Sequence, residues 1–299
     1  MQHHQAERVA IERSARQPAV TRDGVSVAIS INVARLAELE HLDPEVCDGV
    51  GLVRTELLFA DECGQPTEEA QYNAYRRILD WSAGRPVVVR TLDAGGDKPI
   101  EGVTIDGESN PFLGVRGVRL SLARPAPFRV QLRALARAAV HGNLKVMIPM
   151  VTVPAEMEAV RSLLHEEVQS LKQAGIEAKL PPLGMMIEVP AAAIAPDAFN
   201  ADFFSIGSND LTQYVMAAGR DNDAVSALAD PLNPAVLRLI ANVVRYAESA
   251  GVSTSLCGDA AADPNVLPEL LACGLRSVSV GIASVGRVKA AIAKIDLSA

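Results

Sequence analysis

The chain has 299 residues, of which 49% are hydrophobic, 21% charged and only 4% aromatic. This is a globular composition, and its core must be built from Val, Ile, Leu and Ala. With 28 Lys and Arg against 36 Asp and Glu, the net charge of −8 excludes duplex nucleic acid as the main partner, because phosphate backbones call for a positive surface.

Residues 1–23 are polar and charged, with a short helix expected around residues 6–15 and a turn at Arg22-Asp23-Gly24. They read as an N-terminal arm or linker, followed by one domain over 24–299. The first residues lack the apolar stretch of a signal peptide. No apolar run approaches the roughly 20 residues that span a membrane, so no membrane insertion is expected. Cys47, Cys63, Cys257 and Cys273 have no metal-ligand spacing, which points to free thiols in a reducing cytoplasm.

From Gly24 onward, short β-branched runs alternate with helical patterns. Strands are expected at 26–32, 49–55, 86–92, 145–151, 183–189, 203–208, 253–257 and 277–281. Runs such as Val87-Val88-Val89 are apolar throughout, as in strands of a parallel sheet buried on both faces. Helices are expected at 67–83, 127–141, 154–174, 234–250 and 263–272, the last three followed by Gly175, Gly251 and Gly274. Residues 92–113 read as a long loop, with a hairpin around 106–107. Eight βα units in this length predict a (β/α)8 TIM barrel. A doubly wound open sheet is the alternative, but no glycine-rich dinucleotide fingerprint follows the first strand.

Barrel chemistry sits at the carboxyl ends of the strands. The second strand ends in Arg54-Thr55-Glu56, the third in Arg90-Thr91-Leu92-Asp93 and the fifth in Glu188. The sixth ends in Gly207-Ser208-Asn209-Asp210 and the seventh in Cys257-Gly258-Asp259. Taken singly, each has an ordinary explanation. A lone Arg there is usually a surface ion-pair member, and a lone Cys is a small buried hydrophobe. Arg129, Arg133 and Arg137 read as an exposed helix face, and His141 and His165 as solvated or structural.

As a set they say more. Arg54, Arg90 and Arg116 suit bidentate binding of one anion. Glu188 and Asp210 offer two hard oxygen ligands suited to Mg²⁺, with Asn209 beside them. The backbone N–H groups of Gly207 and Ser208 can also face an anion. Spacing alone therefore describes a metal-dependent barrel enzyme acting on an anionic substrate.

The same residues carry a resemblance. GVGLVRTELLF at 49–59, VRTLDAGGDK at 89–98, NPFLGVRGVR at 110–119, IEVPAA at 187–192, DFFSIGSNDLTQY at 202–214 and LCG at 256–258 are together highly specific. From about residue 20 to the end, the sequence resembles the phosphoenolpyruvate-binding C-terminal domain of enzyme I of the bacterial sugar phosphotransferase system. Pyruvate phosphate dikinase and phosphoenolpyruvate synthase share that wider superfamily.

The resemblance implies that phosphoenolpyruvate binds with Mg²⁺ and leaves as pyruvate. Glu188 and Asp210 would hold the metal. Arg54, Arg90 and Arg116 would hold the phosphate, with Lys98 as helper, and Asn209 and Arg220 would contact the phosphate and carboxylate region. Cys257 would protonate the methylene carbon of the enolate. It also implies a homodimer formed through this domain. The phosphoryl group would pass to a histidine on a separate N-terminal domain, and from there to a phosphocarrier protein.

The family often has Thr at 208 and Glu at 259, and the match at 227–234 is looser. None of the five histidines lies in a catalytic-looking motif, so the acceptor is expected outside this sequence. Two other readings follow from the same residues: a stand-alone Mg²⁺-dependent pyruvate-enolate lyase, and a binding or dimerisation module without catalysis of its own.

Overall fold

The computed structural model describes residues 14–59, 66–96, 104–105 and 107–298. Most of the helix expected at 6–15, Asp106 of the hairpin expected around 106–107, Cys63 and Lys98 fall outside them.

Eight parallel strands form a closed barrel in sequence order: β1 (Ala28–Val33), β2 (Val50–Arg54), β3 (Val87–Arg90), β4 (Leu144–Ile148), β5 (Leu183–Ile187), β6 (Phe203–Gly207), β7 (Ser253–Cys257) and β8 (Ser277–Gly281). Closure is made by β1 on β8, in register from Ala28 with Ser277 to Asn32 with Gly281. The open-sheet alternative is thereby excluded.

The helices are α1 (Thr55–Leu58), α2 (Glu68–Ser82), α3 (Val118–Ala123), α4 (Pro125–Ala138) and α5 (Pro154–Gln173), then α6 (Pro190–Ile194), α7 (Ser208–Met216), α8 (Pro234–Ala250), α9 (Leu267–Ala272) and α10 (Val285–Ile292). Local chemistry sets several ends. The Thr67 hydroxyl accepts from Ala70 N–H at the start of α2, and Gly251 closes α8 with a φ of 68°. The helix expected from 263 starts at Leu267 instead, because the Asp263 carboxylate holds a turn by accepting from Asn265 N–H. The short helices α3 and α10 carry too few turns to show periodicity in sequence.

Alternation along the strands divides the core in two. Val53, Val87, Val89, Val146, Ile148, Ile187, Phe204 and Ile206 belong to the large cluster shared with the helices. Leu52, Met147, Met186, Phe203 and Cys257 come from five different strands and still form one cluster, as the barrel interior allows.

Several strands are shorter than the sequence suggests. β3 stops at Arg90 and β5 at Ile187. Beyond Arg90, the Leu92 N–H turns to the Gln131 side chain on α4, whose own amide donates to Thr55 and Tyr75. Glu188 and Asp93 therefore stand just past the sheet, at the mouth, on backbone braced from behind.

Arg129, Arg133 and Arg137 are not a simple exposed face. They bond Glu68 and Glu69 of α2 and Glu166 and Glu167 of α5, at 2.5–3.3 Å, and tie three helices together. Cys47, Cys257 and Cys273 are free thiols. No described helix is long and apolar enough to cross a membrane.

Candidate active site

The carboxyl ends of β2, β3, β5, β6 and β7 deliver the side chains singled out in the sequence to one mouth. Arg54 and Arg90 are register partners at the ends of β2 and β3. Gly207 and Cys257 are partners at the ends of β6 and β7. Glu188 follows β5 directly, and Asp210 lies in the first turn of α7. Arg116 arrives from the long connection between β3 and β4, one residue before the N-cap of α3.

A chain of alternating charge links these elements. Arg90 donates to Glu56 at 2.5 Å and pairs with Asp93 at 3.1 Å. Arg116 donates to the same Asp93 through Nε at 3.3 Å and Nη2 at 3.1 Å. On its other side Arg116 holds Asp210 through Nη1 at 3.2 Å and Nη2 at 3.1 Å, and Nη1 also donates to the Tyr214 hydroxyl at 3.2 Å. Arg116 and Asp93 are fully buried. Charges so deep persist only because each is paired.

The electrostatics follow from this crowding. Burial works against the Arg90 and Arg116 cations, but the surrounding carboxylates outweigh it and hold both above their ordinary values. Glu188 shows the reverse imbalance. Burial, then the charges of Asp210 and Asp93, push it up to about 8 against the pull of Arg90 and Arg116. Cys257 is raised by burial, with the Ser205 hydroxyl and Arg90 opposing, so its thiol keeps the proton. Tyr214 is pushed up to about 12, first by burial.

These residues fit a divalent cation. Glu188 lies among the like charges of Asp210 and Asp93, and its raised value marks a carboxylate that a cation would stabilise. Glu188 and Asp210 are two hard oxygen donors just beyond the ends of the adjacent strands β5 and β6. Among the described residues no group of three or more His, Cys, Asp or Glu converges as a closed cage. Mg²⁺ suits such a pair, because it is commonly held by one or two carboxylates, with waters and substrate oxygens completing the shell.

Positive groups remain for an anion. Arg54 is half-buried and bonds no described side chain, and Arg90 Nε is buried without an acceptor. The other expected contacts are placed as follows. Ser208 Oγ donates to the Cys257 carbonyl at 2.9 Å. Asn209 exchanges two hydrogen bonds with Asp259, at 3.0 and 2.9 Å. Arg220 stands on the turn beyond α7, where its N–H donates to Gln213. Gly207 has a steric reason to be glycine: a Cβ there would lie 2.9 Å from Glu188 Oε2.

Four further residues build this site: Glu56 and Asp93, which the sequence places at strand ends without assigning them a role, and Tyr214 and Met150, to which it gives none. The two carboxylates were legible as polar residues ending apolar runs. Met150 ends the fourth apolar run but has no polar side chain to single it out. Its backbone is left-handed, with φ of 59°, and its N–H donates to Glu188 Oε1 at 2.7 Å.

Comparison with known proteins converges on one family. The family model described as PEP-utilising enzyme, PEP-binding domain, matches residues 8–297. A phosphoenolpyruvate-protein phosphotransferase of Enterococcus faecalis is 44% identical over 282 residues, covering 93% of this chain and 49% of that protein. One from Geobacillus stearothermophilus is 41% identical over 295 residues, covering 98% and 51%. The chain thus spans about half the length of the curated relatives it matches. Among solved structures, malate synthase of Haloferax volcanii aligns over 89% of this chain and 72% of its own at a TM-score of 0.56 and 13% identity. A citrate lyase of Burkholderia xenovorans aligns over 93% and 78% at 0.53 and 17%. At these identities the likeness is one of fold alone.

Proposed function

The chain belongs to the PEP-utilising enzyme family through its PEP-binding domain, and from that premise we propose that it binds phosphoenolpyruvate with Mg²⁺ at the barrel mouth as the donor half of a phosphoenolpyruvate–protein phosphotransferase. The observation that carries this reading is the buried run Glu56–Arg90–Asp93–Arg116–Asp210, set beside Glu188 and a protonated Cys257. Spare guanidinium donors, a carboxylate pair short of positive charge and a neutral thiol meet at one place.

Arg54, Arg90 and Arg116 orient the phosphoryl group, and Asn209, Arg220 and the N–H groups of Gly207 and Ser208 complete its polar surroundings. Glu188 and Asp210 hold the metal. When bound, Mg²⁺ neutralises charge on the phosphoryl and enol oxygens. In the transfer, the bond from phosphorus to the enol oxygen breaks and one to a histidine nitrogen of an acceptor domain forms. The departing enolate takes the Cys257 proton on its methylene carbon and becomes pyruvate. The thiolate then regains a proton from water. Burial of Cys257 favours this role, because it keeps the thiol protonated until the enolate forms. Lys98, by family resemblance, assists the phosphate.

The reading extends to partners: a second copy of this barrel in a homodimer, the histidine-bearing domain, and beyond it a phosphocarrier protein, all in the cytoplasm. The test supplies a separately made histidine-bearing domain with phosphoenolpyruvate, Mg²⁺ and this chain. Phosphohistidine and pyruvate should form together. Absence of phosphoenolpyruvate binding in calorimetry would overturn the proposal. So would pyruvate released from an oxo-acid donor with no acceptor present, which is the lyase outcome.

A further inference from the structure

A guanidinium has five N–H donors. In this structure Arg116 spends all five on the protein: Nε and one Nη2 hydrogen on Asp93, one Nη1 and the other Nη2 hydrogen on Asp210, and the last Nη1 hydrogen on Tyr214. Both oxygens of Asp210 are taken by the same fork. Yet the proposed function asks Arg116 to bind phosphate and Asp210 to bind metal. While they hold each other, Arg116 has no N–H left for phosphate, and Asp210 can offer a metal only the lone pairs that the fork leaves it.

The two sides of Arg116 are not equivalent. Asp93 is fully buried and is itself held by Arg90, which is held in turn by Glu56. That side is fixed from β2 through β3. Asp210 sits at the start of α7, at the mouth, where the ligand must arrive. Asp93 keeps the buried guanidinium paired, but release of Asp210 alone would leave two of its N–H donors without acceptors in a dry site, which is costly. Release of Asp210 is therefore favoured when another anion arrives to take those two donors.

We propose that Asp93 is a positioning residue. It retains the Arg116 guanidinium through Nε and Nη2, while the donors now on Asp210 pass to the phosphoryl oxygens and Asp210 becomes free to ligate the metal. The substrate anion replaces a protein carboxylate on a guanidinium that does not leave its seat. The inference rests on the phosphoenolpyruvate reading above.

Its test is calorimetry of phosphoenolpyruvate at saturating Mg²⁺ on the wild type, Asp93→Asn and Asp93→Glu. Loss of one charge-assisted pair on the guanidinium should weaken phosphoenolpyruvate about 10- to 100-fold in Asp93→Asn. Asp93→Glu should recover part of that affinity. Wild-type affinity in a folded Asp93→Asn would overturn the inference. A wild type that binds no phosphoenolpyruvate would overturn the functional reading instead.

A variant buried this deeply can fail to fold, so the second measurement uses the wild type. In ¹⁵N spectra of arginine side chains, the Arg116 Nε–H signal is identified by its loss in Arg116→Lys. It should remain slow to exchange with water when Mg²⁺ and phosphoenolpyruvate are added together. Fast exchange of that proton in the complex would mean that Arg116 leaves Asp93, and the proposal would fall. A purely structural Asp93 would predict neither the affinity loss in a folded variant nor its recovery by Glu.

Discussion

Met150 and Glu188 are joined by one hydrogen bond, from the Met150 N–H to Oε1 at 2.7 Å, across the ends of β4 and β5. The N–H points there because Met150 holds a φ of 59°, a conformation that side-chain-bearing residues rarely adopt. The backbone strain is of order 1–3 kcal/mol. It sets the position of a carboxylate that is already short of positive partners.

That carboxylate should make the metal-free protein sensitive to pH. The Glu188 carboxyl titrates near 8 in the fold, against an ordinary value of 4.5. Between those values the native state keeps a proton that the unfolded chain has lost. Its contribution to stability is complete below pH 4.5 and is lost as pH rises through 8. Urea unfolding in EDTA should show a decline of up to about 1.4 kcal/mol per pH unit over this window. Glu188→Gln should flatten the decline.

The same substitution tests the ligand assignment. Glu188→Gln or Asp210→Asn should remove Mg²⁺-dependent phosphoenolpyruvate binding, read by calorimetry, while circular dichroism stays that of the wild type. Unchanged affinity in both variants would remove these residues from the metal site.

Gly207→Ala adds a methyl group 2.9 Å from Glu188 Oε2 and 3.0 Å from Met186 Cγ. Overpacking of this kind costs about 1–3 kcal/mol. Because the carboxylate is the group displaced, Mg²⁺-dependent binding should weaken by more than the loss of stability alone accounts for. Thermal unfolding and calorimetry on one sample separate the two effects.

Cys257→Ser should spare phosphoenolpyruvate binding, because the thiol is assigned to the proton and not to the anion. Pyruvate formation with a histidine-bearing acceptor domain should slow by roughly 10²–10⁴-fold, the usual scale of general acid catalysis. Loss of binding instead would mark Cys257 as a packing residue of the barrel interior, where it belongs to one apolar cluster with Leu52, Met147, Met186 and Phe203.

Arg133→Ala should report on the helix network, not on the site. Arg133 bridges Glu68 at 2.7 Å and Glu167 at 3.3 Å, all three partly or largely buried. Removing it should destabilise the fold by about 1 kcal/mol and leave phosphoenolpyruvate affinity unchanged. The loss should shrink at high salt, as screening already weakens the wild-type pairs.

The barrel was legible in the sequence because its signals are local. Val87-Val88-Val89 is apolar on both faces whatever surrounds it, and Gly251 ends a helix through its own φ. The polar residues ending those runs, Arg54, Arg90, Glu188, Asp210 and Cys257, were legible for the same reason. Periodicity was too short to show α3 or α10. It also misread Arg129, Arg133 and Arg137, because their partners Glu68, Glu69, Glu166 and Glu167 lie on other helices.

What the chain order alone determined is which residue types stand at each strand end. Tertiary structure decided who pairs with whom. Nothing local says that Arg116 should reach 94 positions ahead to Asp210, or that Asp93 should be shared between two guanidiniums. Those pairings exist because barrel closure brings β3, β5 and β6 to one mouth and removes water from it. In that dry space each buried charge must find a partner among the few within reach.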